Sequence, residues 1–428
     1  MKRLVVLSLL LFTSTGARAQ WKYSGNVAPY FQKIMIDTTP VSPSEKGGVT
    51  GSLNLENKMN SRWRARSEIW IRSDFFARDA AENFQYVPKN VLLQYRGKSL
   101  TVRAGLQTLQ IDGPDLVNPA DVVHSKNWVI PTDPVTQSSA GLSLSHETGD
   151  WNWEVFYVPR QTAAVLPGAH SPWLPRKNRL PIESSDTEIQ IPDGVEYKYA
   201  SPRTLNDARD HNVTLKLQRK TDALETQLLY YNGLSHSPYL LTSVTGTLIS
   251  VNPDIIQVSS PVKLIPLYYR HQVMAGTFNL PLGSWALHGG MNWMKPQGND
   301  NRIPRETTLM VAGLEKSFET GLGLVTGIVD YVRQRRQDAN QISFLRSIME
   351  EAVTGGVRIP LGEEAQLFAG GLYDLVGGSS VYKASATRRL SSSLSAELSG
   401  QTLQGPSKTL IGLYERYDSY QVKLVWAW

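Results

Sequence analysis

The stretch Arg62-Trp63-Arg64-Ala65-Arg66-Ser67-Glu68-Ile69-Trp70-Ile71-Arg72-Ser73-Asp74 carries its charges on alternate residues. In an extended strand alternate residues share a face. Arg62, Arg64, Arg66, Glu68, Arg72 and Asp74 therefore line one side, and Trp63, Ala65, Ile69 and Ile71 the other. The same alternation further on puts Gln94 and Arg96 opposite Val91, Leu93 and Tyr95, and Arg103 and Gln107 opposite Val102, Ala104 and Leu106. By the same test Lys216 and Gln218, Arg270 and Gln272, Arg358, and Glu397 with Gln401 are expected on that inner side. Two chemistries fit a row of guanidinium groups. Bordering water, they create a positive field and a succession of donors for an anion. Held by Glu56, Glu68 and Asp74, they form an ion-pair lattice that braces a wall. The readings are compatible, because a row with more arginines than acids keeps a positive excess.

Catalytic and metal motifs are weak throughout. The histidines at 124, 146, 170, 211, 236, 271 and 288 are scattered, with no His-x-His or HExxH spacing. His-Ser dipeptides at 124–125, 170–171 and 236–237 put their side chains on opposite faces of any strand. No enzyme activity, metal or cofactor is expected. The chain contains no cysteine, so it has neither a lipobox for acylation nor a disulfide framework.

Lys2 and Arg3 precede an apolar run from Leu4 to Phe12, and Ala17-Arg18-Ala19 has the small residues that signal peptidase reads. Residues 1–19 are expected to be a signal peptide for the Sec pathway, and residues 20–428 the mature domain. Removal of Lys2, Arg3 and Arg18 lowers the formal charge from +6 to about +3, which implies no nucleic-acid partner. Mean hydropathy is −0.27, and nothing after the signal approaches the roughly 18 apolar residues of a membrane helix. Yet the chain holds 11 Trp and 18 Tyr, the residues that girdle membrane barrels.

Eighteen short alternating segments can be marked out, beginning at 21–36 and ending at 411–428, with 61–75, 90–97 and 263–280 among them. Every second connection is tight, as at Lys58-Met59-Asn60, Thr148-Gly149-Asp150 and Leu361-Gly362-Glu363, and the others are mostly long. Alternating short turns and long loops predict an all-β, single-domain, transmembrane up-and-down antiparallel barrel of about 18 strands. Sixteen result if the pair around 379–403 or 47–75 is miscounted. Three connections exceed mere turns. In 111–135, Asn118 is placed to cap a short helix with Pro119 at its first position. The 160–208 loop is proline-rich, and 234–262 has an apolar run from Leu240 to Val251 that suits an extra hairpin. Loops this long are usually functional or disordered.

The chain ends on Tyr420-Gln421-Val422-Lys423-Leu424-Val425-Trp426-Ala427-Trp428. Tyr420, Val422, Leu424, Trp426 and Trp428 share one face, and the pattern resembles the closing strand of a bacterial outer-membrane β-barrel, whose last residues are read by the barrel-insertion machinery. Val102-Arg103-Ala104-Gly105-Leu106-Gln107, with Asn118-Pro119-Ala120-Asp121 in the following loop, resembles porin-like outer-membrane proteins, in which an Arg-x-Gly-x-Gln strand runs into a loop bearing Asn-Pro-x-Asp. These resemblances imply a barrel in the outer membrane of a Gram-negative cell, in contact with outer-membrane lipid, with both termini periplasmic. The expected function is a channel for passive or facilitated diffusion of small hydrophilic solutes, with a preference for anions. The 111–135 loop would fold inward, setting Asp112, Asp115, Asn118, Asp121 and Lys126 across a constriction from the arginines. A surface receptor, adhesin or structural barrel with a loop-plugged lumen is the alternative. An uptake channel for apolar molecules, opening through the wall near Pro29 or Pro266, is a third. The oligomeric state is undecided by sequence.

Overall fold

The computed structural model describes residues 20–35, 44–174, 179–181, 187–192, 194–205, 210–298, 303, 306–337, 350–406, 409, 411–414 and 417–428. The expected signal peptide, 1–19, lies outside the described residues, as do parts of the 160–208 loop.

Eighteen strands form one closed wall. In chain order they are β1 (Gln20–Ile34), β2 (Glu45–Lys58), β3 (Trp63–Asp74), β4 (Phe84–Arg96), β5 (Leu100–Gln107), β6 (Ser139–Thr148), β7 (Trp151–Arg160), β8 (Asp210–Lys220) and β9 (Glu225–Leu234). They continue as β10 (Arg270–Leu282), β11 (Trp285–Pro296), β12 (Glu306–Thr320), β13 (Gly323–Gln337), β14 (Glu351–Leu361), β15 (Ala365–Asp374), β16 (Ser380–Arg389), β17 (Leu394–Gln404) and β18 (Ser419–Ala427). Each pairs antiparallel with its sequence neighbours, and β18 returns to β1 from Ser419 opposite Ile34 to Ala427 opposite Asn26. Gly25 and Trp428 extend the seam with reciprocal backbone hydrogen bonds of 3.2 and 3.1 Å. Pro29 has no N–H to offer, so pairing with β18 skips Ala28 and Pro29, but the register on either side is unchanged. All eighteen expected segments reach the wall, including those around 47–75 and 379–403, which removes the sixteen-strand alternative.

Burial is inverted relative to a water-soluble protein. On β9 and β10, Leu228 and Met274 are 60% and 57% exposed, while Tyr231 and Val273 on the opposite face are 1% and 0% exposed. The exposed apolar face meets lipid. At the rim with short turns it carries an aromatic belt: Trp63 packs on Tyr95 at 5.1 Å, and Arg219 and Lys316 lie over Trp151 and Trp285 at 5.4 and 4.2 Å. The turns are built locally. Gly149 and Gly283 take positive φ (58° and 67°), the left-handed geometry that two-residue hairpin turns require and glycine adopts without strain. The Asn60 side-chain oxygen accepts the N–H groups of Arg62 and Trp63, both at 2.9 Å.

Three boundaries differ from the sequence reading. Strand β4 begins at Phe84, earlier than 90, because a register shift opposite Glu68 and Ile69 breaks its alternation between Pro88 and Asn90. The 263–280 segment is two strands, since Val262–Tyr268 leaves the wall and only Arg270–Leu282 belongs to it. The last segment enters the wall at Ser419, preceded by a 3-10 turn at Gly412–Tyr414.

At the other rim the loops 160–208 and 234–268 interlock. Gly246–Ser250 and Ile255–Val258 form the expected extra hairpin, which pairs in parallel with Glu188–Gln190 and through it with Arg179–Pro181. A second sheet joins Val262–Tyr268 to Tyr197–Tyr199, Arg203–Thr204 and Tyr239–Ser243. Leu174, Ile191, Val195, Tyr197, Val258, Val262 and Leu264 are buried between them. From this cap Trp173 reaches across the same loop rim to the ends of β1 and β17, packing with Ile34, Leu403, Ile411 and Tyr417. Val195 is fully buried, so Val195→Asp would place a carboxylate in an apolar core at a cost of at least about 3 kcal/mol. The expected outcome is protease cleavage within both loops while the barrel keeps its folded mobility on unheated gels.

Candidate functional site: the lumen and its inward loop

Strand register fixes which residues share the lumen face. Arg64, Gln94 and Arg103 stand opposite one another across β3, β4 and β5, with Arg96 opposite Thr101 one step toward the turn rim. Arg66 and then Glu68 follow toward the loop rim, Arg66 opposite Leu92 and Glu68 opposite Asn90. Arg64 pairs with Glu56 at 3.3 Å and Arg66 with Glu68 at 3.6 Å. Asn90 donates to Glu68 at 3.0 Å. The side chains of Arg64 and Arg66 are 41% and 53% exposed, and pairs so open to water contribute at most about 1 kcal/mol each. Bracing is therefore a small part of what these arginines can do. Arg96 makes no ion pair among the described residues.

Arg103 is held differently. It donates to Glu154 at 2.9 Å, and Lys216 approaches the other oxygen of the same carboxylate at 3.0 Å. Glu154 and Lys216 have side chains only 5% exposed. Lys216 also donates to the Gln110 carbonyl at 3.0 Å, which ties the chain of charges to the inward loop.

Five residues correct the expected set. Arg62 lies in the turn before β3, exposed, with its carbonyl accepting the Arg96 N–H at 2.8 Å, and so stands at the rim and not on the wall. Arg72 is withdrawn from the lumen surface: its Nε donates to the Tyr30 hydroxyl at 3.1 Å and its guanidinium lies 4.6 Å over the Tyr30 ring. Among the described residues Asp74 pairs with no arginine; it lies 3.9 Å from Lys46 and accepts the Phe76 N–H at 3.1 Å. Arg270 and Gln272, expected inward, share the outer face with Met274. Arg270 spends its donors on the carbonyls of Asp210 and His211 at 2.6 and 2.7 Å.

The loop between β5 and β6 folds into the barrel, and residues 109–123 lie along the wall from β7 to β14. The return leg meets β4 and β16, where Asn127 donates to Gln85 at 2.9 Å, Ser138 donates to the Pro88 carbonyl and Lys383 donates to the Thr132 carbonyl at 2.6 Å. Leu109, Ala120, Val122 and Val123 pack on Phe156, Val158, Leu229, Tyr231, Val273 and Ala275, and Val117 meets Val311, Val332 and Ala352. Asp112 is pinned to this wall, accepting from Gln218 at 2.6 Å, while its carbonyl accepts from Gln227 and Thr277 at 3.2 and 3.0 Å. Asn118 caps a single turn and not a helix: its Oδ1 accepts the Ala120 N–H at 2.9 Å and its Nδ2 donates to the Ile111 carbonyl at 3.3 Å. Pro119 is held through its carbonyl by Asn292 at 2.6 Å. Asp121 and Lys126 pair with each other. Asp115 alone of the loop's charged candidates is exposed and without an ion pair among the described residues. Among the described residues no group of His, Asp and Glu could hold a metal ion.

At the closing strand, Tyr420, Val422, Leu424, Trp426 and Trp428 all project outward, each between 44% and 59% exposed. Lys423 points inward and pairs with Glu397 at 3.7 Å.

Sequence reasoning placed Lys216 inward but missed Glu154. The signal was present in Asn152 and Glu154, but Phe156 and Val158 on the same face hide it, because there the lumen side is as apolar as the lipid side.

A closed 18-strand antiparallel barrel with a polar interior and an inward loop is the architecture of the outer-membrane porins. No protein-family model and no curated protein matches the chain. Among solved structures it is similar to OccK2 (OpdF) of Pseudomonas aeruginosa, determined in complex with glucuronate. The TM-score is 0.54 at 10% identity, over 95% of this chain and 98% of that one. It is also similar to OccK8 (OprE) of the same organism, with TM-score 0.51 at 9% identity over 96% and 98% of the two chains.

Replacing Glu154 by Gln leaves Lys216 charged and buried with its main counter-charge gone. The expected loss is about 3 kcal/mol, read as a lower denaturant midpoint for the barrel in detergent.

Proposed function

We propose that this barrel is an outer-membrane channel for the passive or facilitated diffusion of small hydrophilic solutes, with a preference for anions. The division of the inner wall carries the reading: residues 109–123 of the loop cover β7 to β14 and its return leg meets β4 near the loop rim, whereas Arg64, Arg66, Arg96 and Arg103, nearer the turn rim of β3–β5, are reached by water. Glu56, Glu68 and Glu154 offset three of them, and Arg96 is in excess. Such a sector raises the local concentration of anions and supplies donors in series along the passage. Asp115, on the loop, is the acidic group that would face the passage. Diffusion of this kind needs neither nucleotide nor metal, and no catalytic role is assigned. Residues 1–19 would direct export, the termini would lie in the periplasm, and the insertion machinery would read the outward aromatic face of β18.

The interlocked cap favours a second reading, in which the mouth is closed and a surface partner binds the loops. Planar-bilayer recording separates the two. Purified protein is expected to pass discrete currents and to favour chloride over potassium at neutral pH. Arg64→Ala with Arg103→Ala is expected to bring the reversal potential in a salt gradient close to zero without abolishing conductance. Failure to conduct at all would leave the closed-barrel reading. Competition of the chloride current by a sugar carboxylate such as glucuronate would extend the preference to organic anions.

A further inference from the structure

The neck of the inward loop is closed by a single imidazole. His124 Nε2 accepts the Leu109 N–H at 2.7 Å, joining the two ends of the 109–124 segment, and the ring is 2% exposed. Its Nδ1 is buried without a partner. An Nε2 that accepts a backbone N–H belongs to a neutral ring protonated on Nδ1. The surroundings offer little to a charged one. Phe156 on β7 lies 5.9 Å away between ring centroids, and the cluster about it is Leu109, Val122, Val123 and Tyr231. The charges that act on His124 are Asp121 and Lys126, already paired with each other. Tyr231 is the titratable group on the wall beneath, and its hydroxyl donates to the Leu234 carbonyl at 2.8 Å. From the cap side, the half-buried His236 lies within reach of the same Asp121–Lys126 pair and of His271, and its buried Nδ1 is unpartnered.

We propose that His124 is an acid-sensitive clasp that seats the inward loop on the β7–β10 wall. A proton arriving from the medium converts Nε2 from acceptor to donor, breaks the bond to Leu109 and sets a cation among aliphatic side chains, so that the 109–124 segment leaves its seat. Burial holds the seated imidazole down at about 4, against 6.5 for a ring in water. The released loop therefore binds the proton more readily than the seated one. The clasp is fully effective above pH 6.5 and weakens roughly tenfold per pH unit as acid is added, down to about pH 4. His236 would add to the effect from the cap, being held down to about 4 by the same cause.

The absence of cysteine makes the test direct. A lone cysteine at Ala120, which is fully buried in the seated loop, is titrated with dithiodipyridine, a reagent that reacts with thiols in acid. A lone cysteine at the exposed Leu116 gives the intrinsic rate at each pH. Labelling at 120 relative to 116 is expected to rise at least tenfold from pH 7.5 to pH 5. Adding His124→Gln, whose amide keeps an acceptor that acid cannot protonate, is expected to flatten that rise. A flat ratio in the protein that keeps His124 overturns the proposal, and needs no change at the clasp. An undiminished rise in the His124→Gln protein overturns it as well and assigns the response to His236 and His271. Labelling reads the loop's position, so it decides the matter whether or not the barrel conducts.

Discussion

A strand in hydrocarbon has no water to satisfy its backbone, so every strand here must find two neighbours. The β1–β18 seam meets that requirement: it removes the last pair of edges and forces an up-and-down order in which each strand lies beside its predecessor in sequence. The rest follows. Turns at one rim stay short because adjacent strands are already joined, and length accumulates at the other rim, where it can be folded inward or woven into a cap. A slip of one residue in any strand would exchange its lipid and lumen faces, so the register that brings Arg64, Gln94 and Arg103 together is held by the same alternation that holds Trp63, Tyr95 and Val102 against lipid.

That coupling explains what could be read without coordinates. In β3, β4 and β5 the lipid face is apolar and the lumen face charged, so Arg64, Arg66, Arg96 and Arg103 were legible as a group from spacing alone. From β7 to β10 the rule loses its contrast. Phe156, Val158, Leu229, Tyr231 and Val273 point inward but are buried by the loop, so both faces read as apolar. Arg270 and Gln272 were assigned to the wrong face for this reason, and Glu154 escaped notice. The fold was thus more legible than the site, because fold depends on alternation within each strand. The site also depends on which strands a loop covers, and residues far apart in sequence decide that.

The loop charges show the same limit. Asp112, Asp121 and Lys126 have the residue types of a constriction, but the first is held by Gln218 and the other two by each other. Composition counts charges, and only packing tells which of them remain available to a solute. The arginines of β3 illustrate the opposite case: their partners are near, yet water reaches the pairs, so the field they project is weakened and not cancelled.

The parallel pairing of Glu188–Gln190 with Ile255–Gln257 joins loops that belong to different hairpins. Each half has pairing of its own, but Glu188–Gln190 and Tyr197–Tyr199 are completed by strands of the other loop, so neither is an independent module. Drift in one loop is constrained by the edge it must present to the second, and the two can change only together. Grafting the surface of a related barrel onto this one would therefore require both loops to be moved as a unit, in spite of the β8–β9 hairpin encoded between them.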